Sequence, residues 1–135
     1  VMYLNSPLYP LALKELSRHS NIYLDTAMVS NAEVFLNALR YLGPKKILFG
    51  SDAPFSFING NFCLDKNAKI RLKSDANFTW VKQRYTSEND SWPSNLFHYQ
   101  IIIALKQAII EFGGSAKLEL IKNDIFYENA IKIFI

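Results

Sequence analysis

Two aspartates stand where predicted strands end, and both have the chemistry of a cation ligand or a proton acceptor. Asp52 closes the stretch K-K-I-L-F-G-S-D, and Asp25 closes N-I-Y-L-D. A carboxylate binds divalent cations and can take a proton from water during hydrolysis. Each also has a plainer interpretation, because Asp is a common turn residue. Asp52 lies in a Gly-Ser-Asp-x-Pro turn, and Asp25 can bond the following turn through an Asx motif.

The sequence offers few other candidate ligands. His19 lies in the turn S-R-H-S, and His98 lies in S-N-L-F-H-Y-Q, near the start of a predicted helix. A lone histidine is weak evidence for a ligand, so we interpret His98 as a structural or surface residue. Cys63 is the only cysteine, which excludes an internal disulfide and a thiolate zinc site. Such cysteine usage favours a reducing compartment, and we expect a cytoplasmic protein.

The composition is typical of an ordinary globular protein. Of its 135 residues, 50% are hydrophobic and 20% are charged. The net charge of +3 is mild and scattered, so it does not indicate a nucleic-acid partner. The first residues lack a signal-peptide pattern, and no apolar run approaches the ~18 residues of a membrane span. We therefore expect no export signal and no membrane partner.

The first 55 residues predict helix, strand, helix, strand. The first helix covers 7–18, with Leu8, Leu11, Ala12 and Leu16 on its apolar face, and the second covers 31–42, after a capping box of Ser30 and Glu33. The strands cover 21–27 and 46–50. The second strand is apolar without alternation, as expected for a strand covered on both faces of a parallel sheet. In such sheets the carboxyl ends open on one face, which would bring both aspartates to a common edge.

Residues 56–92 are predicted to form an inserted hairpin region or lid. Asn59-Gly60 is a strong hairpin-turn signal, and K-I-R-L-K followed by F-T-W-V-K-Q-R-Y predicts a second, irregular hairpin. Phe55, Phe57 and Trp80 are candidates to line a substrate pocket, or alternatively to pack a small satellite core. Basic residues interleaved with aromatics also permit nucleic-acid binding, but no binding motif accompanies them.

Residues 93–135 are predicted to be helical. A buried outer helix follows Pro93-Ser94 and runs from Leu96 to Phe112. Two short helices come after it, with a break near 123–124, where Asp124 can cap the second. The residues predicted to be in the core of this last segment are Ile125, Phe126, Ala130, Ile133 and Phe134.

Four stretches together resemble the C-terminal part of the amidohydrolase-related metal-dependent hydrolases. They are N-I-Y-L-D-T-A, L-R-Y-L-G-P-K-K, I-L-F-G-S-D-A-P-F and Y-E-N-A-I-K-I-F. The resemblance covers residues 8–55 and 123–135. It implies an α/β fold, the C-terminal part of a (β/α)8 TIM-barrel-like domain, with 21–27 and 46–50 as the seventh and eighth strands. All of 1–135 would then be one barrel portion: 1–55, the insertion 56–92, and the C-terminal helices 93–135.

The resemblance also implies a mechanism. Asp52 would be the catalytic residue and a ligand of a divalent metal, with zinc expected. Asp25 and Ser51 would contact Asp52 rather than the metal itself. Zinc lowers the pKa of bound water toward ~7, and the resulting hydroxide would hydrolyse a C–N or C–O bond of a small molecule. Some relatives decarboxylate instead. The family's H-x-H pair is absent, so we expect this chain to be part of a longer protein, partnered by the N-terminal part of the barrel. The alternative is a catalytically silent scaffold or interaction fragment, and homo-oligomers are expected from unpartnered surfaces.

Overall fold

The computed structural model describes residues 8–64, 70–74 and 96–135, with only the backbone described for 61–64 and 70–74. Within these ranges the chain is mostly helical. A π-helical turn, Asp124–Glu128, joins the last two helices. The helices are α1 Tyr9–Leu16, α2 Ala32–Leu42, α3 Phe97–Gly113, α4 Leu118–Asn123 and α5 Asn129–Phe134; the strands are β1 Leu24–Asp25, β2 Ile47–Leu48, β3 Gly60–Leu64 and β4 Ile70–Ser74.

The main core lies between α2 and α3, where apolar side chains from both helices pack together with β2 and the C-terminal helices. α2 begins one residue later than a Ser30 cap would place it. The Oδ1 atom of Asn31 accepts the Glu33 N–H at 2.9 Å, so Asn31 is the N-cap. The core side chains include Phe35, Leu36, Leu39, Ile47, Phe97, Ile101, Leu105, Ile109, Ile121 and Ile125.

The buried face of α1 differs from the predicted one. Leu13 is buried, whereas Leu8 and Leu11 are 65% and 60% exposed. The helix packs on α2 through the side that carries Tyr9 and Leu13, which lie one turn apart. The Tyr9 hydroxyl donates to the Val34 carbonyl at 3.4 Å, and burial raises the pKa of Tyr9 to about 12. The apolar spacing predicted the helix correctly, but it predicted the wrong buried face.

β1 and β2 are parallel neighbours, as predicted. Leu24 pairs with Ile47 and Asp25 with Leu48, and the Thr26 N–H donates to the Leu48 carbonyl at 3.1 Å. Each strand is only two residues long, much shorter than the predicted 21–27 and 46–50. Even so, the pair places both carboxyl ends at one edge.

The other edge of β2 contacts the C-terminal helical segment. Alternate backbone groups of a strand point to opposite sides. Leu48 faces β1, so the Ile47 carbonyl and the Phe49 N–H point away from it. The Phe49 N–H donates to the Ile125 carbonyl at 2.9 Å, and the Nδ2 atom of Asn129 donates to the Ile47 carbonyl at 2.8 Å. A helix, rather than a strand, satisfies this edge.

The π-helical turn explains why a helical carbonyl is available there. The Asn129 N–H donates to the carbonyl of Asp124, five residues back. In a regular α-helix it would bond Ile125, four residues back. The π turn thus leaves the Ile125 carbonyl to accept the Phe49 N–H.

These contacts overturn the barrel prediction. In a closed (β/α)8 barrel every strand pairs with a neighbour on each side. Within the described residues, β2 pairs with one short strand, and helical residues occupy its other edge. β3 and β4 form a separate antiparallel sheet. The chain is therefore not part of such a barrel.

The predicted hairpins were also misplaced. Gly60 is the first residue of β3 rather than a turn residue, and Asn59 forms an isolated bridge with Leu96. β3 pairs with β4, so I-R-L-K, from 70 to 73, lies opposite the stretch before it. Its predicted partner, 78–85, lies outside the described residues.

Several predictions for the C-terminal segment need correction. α3 begins at Phe97, and Pro93-Ser94 lie outside the described residues. Asp124 is not the N-cap of the last helix; its carboxylate is buried and pairs with the Lys45 ammonium. Ile125 is in the core, but Phe126 is exposed and Phe134 is 77% exposed. Across the ranges that the structure describes, no helix is both long and apolar enough to cross a membrane.

Candidate functional site

The carboxyl ends of β1 and β2 bring Asp25 against the turn that carries Asp52. A Cβ atom placed on Gly50 would lie 3.4 Å from the Asp25 Cβ and 3.6 Å from its Oδ1. Asp25 therefore lies beside the backbone of the residue two positions before Asp52. A larger side chain at Gly50 would crowd Asp25.

Thr26 joins the two strand ends. Its side chain is buried, and its Oγ1 donates to the Gly50 carbonyl at 2.9 Å and accepts the Gly50 N–H at 3.1 Å. One hydroxyl thus satisfies both backbone groups of Gly50, extending the parallel pairing beyond the end of β2. Sequence reasoning missed this residue, although a hydroxyl directly after an apolar strand was the available signal.

The Asp25 carboxylate is part of a turn. Its Oδ1 accepts the Ala27 N–H at 2.8 Å, which is the Asx interpretation considered for this residue. Asp25 as a whole is exposed. The structure gives this carboxylate a local structural task.

The Asp52 carboxylate has no such task. Asp52 is exposed and has a left-handed backbone, with φ of 59°. Its carbonyl accepts the Ser56 N–H at 3.2 Å, but its carboxylate makes no hydrogen bond or ion pair in the described part of the chain. The neighbouring Ser51 accepts the Ala53 N–H through Oγ at 3.3 Å. Left-handed residues other than glycine are uncommon and cluster at functional sites.

Aromatic side chains lie on and beneath the same turn. Phe55 and Phe57 are 44% and 55% exposed, so neither is a core residue. The His98 ring contacts the rings of Phe57 and Phe49, with centroids 5.5 Å and 5.8 Å away. These contacts fit the structural interpretation of His98. Trp80, the third predicted lining residue, lies outside the described residues.

Two buried polar atoms near this turn, Ser56 Oγ and His98 Nδ1, have no hydrogen-bond partner in the part of the chain that the structure describes. Ser56 lies in the short 3-10 turn Phe55–Phe57, and His98 lies in the first turn of α3. His19, in contrast, is exposed, and its carbonyl accepts a bond from Lys46 at the other end of the strand pair.

A metal site is not assembled by the described residues. Among them, no three His, Cys, Asp or Glu side chains lie close enough together to hold a metal ion. A catalytic zinc needs about three protein ligands. Asp52 alone does not fit that requirement, and Asp25 is already bonded to the backbone of Ala27.

A separate cavity of about 260 Å³ lies between α3 and α4. Its apolar lining comes from Ile102, Ile109, Leu118 and Phe126, and the side chains of Lys106 and Lys122 also line it. No sequence motif marks this surface.

Comparisons with known proteins return no match to this chain among protein-family models, curated proteins or solved structures. The amidohydrolase resemblance therefore stays a prediction that rests on the four stretches quoted above.

Proposed function

We propose that this chain is a hydrolase component in which Asp52 accepts the proton of the attacking water. One observation carries the proposal: an exposed carboxylate that has no partner among the described residues, on a left-handed residue directly after a strand pair. A general base must be held in place yet remain free to accept a proton. The Thr26–Gly50 bonds supply the first property, and the unpaired carboxylate supplies the second.

The proposed reaction is hydrolysis of a C–N or C–O bond in a small molecule. The water oxygen bonds to the carbonyl carbon, its proton passes to Asp52, and Asp52 returns that proton to the leaving nitrogen or oxygen. The related decarboxylation remains part of the same proposal. The exposed rings of Phe55 and Phe57 lie beside Asp52 in the chain and are the proposed lining for an apolar part of the substrate.

A metal-dependent version of this hydrolase needs ligands that the described residues do not supply. Zinc is the expected metal, and when bound it would make water acidic enough to ionise near neutral pH. We derive no step through it, because the described residues bring no three candidate ligands together at this edge. The proposed compartment is the cytoplasm, supported by the single cysteine.

The test compares Asp52→Asn with Asp25→Asn. Rates would be measured on a panel of activated esters and amides, with and without added Zn²⁺, alongside the thermal midpoint of each variant. Asp52→Asn should lower the rate by ~10²–10⁴-fold at an unchanged midpoint, because the amide keeps the shape but accepts no proton. Asp25→Asn keeps an oxygen for the Ala27 N–H and should lose little. Equal rates for wild type and Asp52→Asn would remove Asp52 from the mechanism.

A binding scaffold without catalysis is the second candidate. The apolar lining of the cavity between α3 and α4 favours it, because exposed apolar grooves mark interaction sites. Leu120, on α4, is also 65% exposed. Light scattering across a concentration series should then show self-association, and Leu120→Lys should weaken it. A monomer at every concentration, with hydrolysis that depends on Asp52, would argue against this candidate.

A further inference from the structure

Asn129 is a polar side chain in a buried position of the C-terminal helix. It is 1% exposed. Its Nδ2 donates to two backbone carbonyls at the start of β2, those of Pro44 and Ile47, each at 2.8 Å. Burying an amide is costly unless it is hydrogen-bonded. The two bonds offset this cost for Nδ2, whereas the buried Oδ1 has no partner among the described residues.

The two bonds replace part of a missing strand. The Ile47 carbonyl and the Phe49 N–H point away from β1, and in a larger sheet a third strand would satisfy them. Here Asn129 takes the first, and the Ile125 carbonyl takes the second at 2.9 Å. Unpaired, these groups would leave the strand free to shift.

Hydrogen bonds on both sides of β2 thereby fix the strand as far as the turn that carries Asp52. On one side Leu48 bonds to Thr26, and Gly50 bonds to the Thr26 hydroxyl. On the other side Asn129 and Ile125 bond to the alternate residues. Asp52 follows Gly50 by two residues, so any slippage of β2 along the helix would move the carboxylate.

We propose that Asn129 is a positioning residue for Asp52, acting by anchoring the free edge of β2. This inference extends the proposed function and rests on it, because Asn129 can affect catalysis only through Asp52. The competing explanation is that Asn129 contributes to overall stability alone. The two differ in what happens at the Gly50–Asp52 turn when the protein is still folded.

The first test is amide hydrogen exchange on the full chain. Asn129→Leu has a similar size and lacks both donors, and the matched control is Asn123→Leu, which changes an exposed asparagine six residues earlier. Removing Asn129 should speed exchange at the hydrogen-bonded amides of Phe49, Gly50 and Ser56 by about ten-fold beyond any change at Ile101 and Leu105 in α3. Uniform acceleration at all of these amides would overturn the positioning role, as would no change.

If Asn129→Leu does not fold, Asn129→Ser serves instead, since its hydroxyl retains one donor. A smaller but still local acceleration of exchange at Gly50 and Ser56 is then expected. Acceleration that is equal in α3 would again overturn the proposal.

The second test is kinetic and separates this inference from the proposed function. Well below the thermal midpoint, Asn129→Leu should lower kcat by about ten-fold with little change in KM, because a displaced base affects the transition state more than ground-state binding. A raised KM at unchanged kcat would overturn the positioning role. If wild type has no hydrolase activity, the proposed function fails, while the exchange experiment still decides whether Asn129 holds the turn.

Discussion

The two strand ends contain the same chemical group and use it differently. At the end of β1, the Asp25 carboxylate bonds the N–H of Ala27, two residues on. At the end of β2, the residue two positions after Asp52 is Pro54, which has no N–H to donate. The same Asx bond cannot form there. A proline therefore leaves one aspartate free, where an alanine lets the other be used in a turn.

An aspartate carboxylate can therefore be left without a turn bond when the residue two positions later has no backbone N–H. The Ala53 N–H is also taken, because it donates to Ser51 Oγ. The Ser56 N–H bonds the Asp52 carbonyl rather than its carboxylate. At positions 53, 54 and 56 the backbone donor is thus absent or used elsewhere, and the Asp52 carboxylate has no hydrogen-bond partner among the described residues.

The largest stability effect is expected at Thr26, which links the two ends. Thr26→Val has almost the same shape but loses the hydroxyl that both donates to and accepts from Gly50. Two backbone groups would lose their partner, so the free energy of unfolding should fall by about 2–3 kcal/mol in chemical denaturation. Thr26→Ser keeps the hydroxyl and should cost less. Equal losses for both variants would show that packing, not the hydroxyl, joins the strand ends.

A smaller loss is expected when the Asx bond is removed. Asp25→Ala takes away the acceptor of the Ala27 N–H, and we expect a loss of about 1 kcal/mol. Asp52→Ala removes no hydrogen bond of the side chain, so its thermal midpoint should shift less than that of Asp25→Ala. The reverse order of the two shifts would break the contrast between the strand ends.

The smallest effect should have the opposite sign. Asp52 has a φ of 59°, a conformation that glycine adopts without the Cβ penalty. Asp52→Gly should therefore raise the free energy of unfolding by up to ~1 kcal/mol, while removing any activity that depends on the carboxylate. A stabilised but inactive variant would mark a residue retained for function. Destabilisation would show that the Asp52 side chain supports the fold.

Sequence patterns predicted local elements better than their partners. The helices of 31–42 and 96–112 and the parallel strand pair follow from apolar spacing and caps. The barrel was wrong because nothing in K-K-I-L-F-G specifies which element covers the second edge of the strand. That edge depends on a π turn more than 70 residues later, and local propensity carries little information about such a contact.

At the candidate site, the sequence located Asp25 and Asp52 but not the residues that hold them. Thr26 and Asn129 bond to backbone groups of distant segments, so no motif spacing predicts their roles. The sequence does contain one signal for Asn129, because it lies four residues from both Ile125 and Ile133, on an apolar helical stripe. A lone amide on such a stripe predicts buried carbonyl partners.

The π turn makes Asn129 sensitive to helical phase. A π turn accommodates one residue more than the α-helix around it. If Asp124–Glu128 tightened into a regular α-helix without changing length, every later residue would rotate by about 100° about the helix axis. Asn129 would then swing away from the Pro44 and Ile47 carbonyls that it bonds. Deleting one residue within the turn would instead preserve the phase of Asn129 but return the Ile125 carbonyl to the helix, so the Phe49 N–H would lose its acceptor. The number of residues between α4 and Asn129 is thus as constrained as their identity.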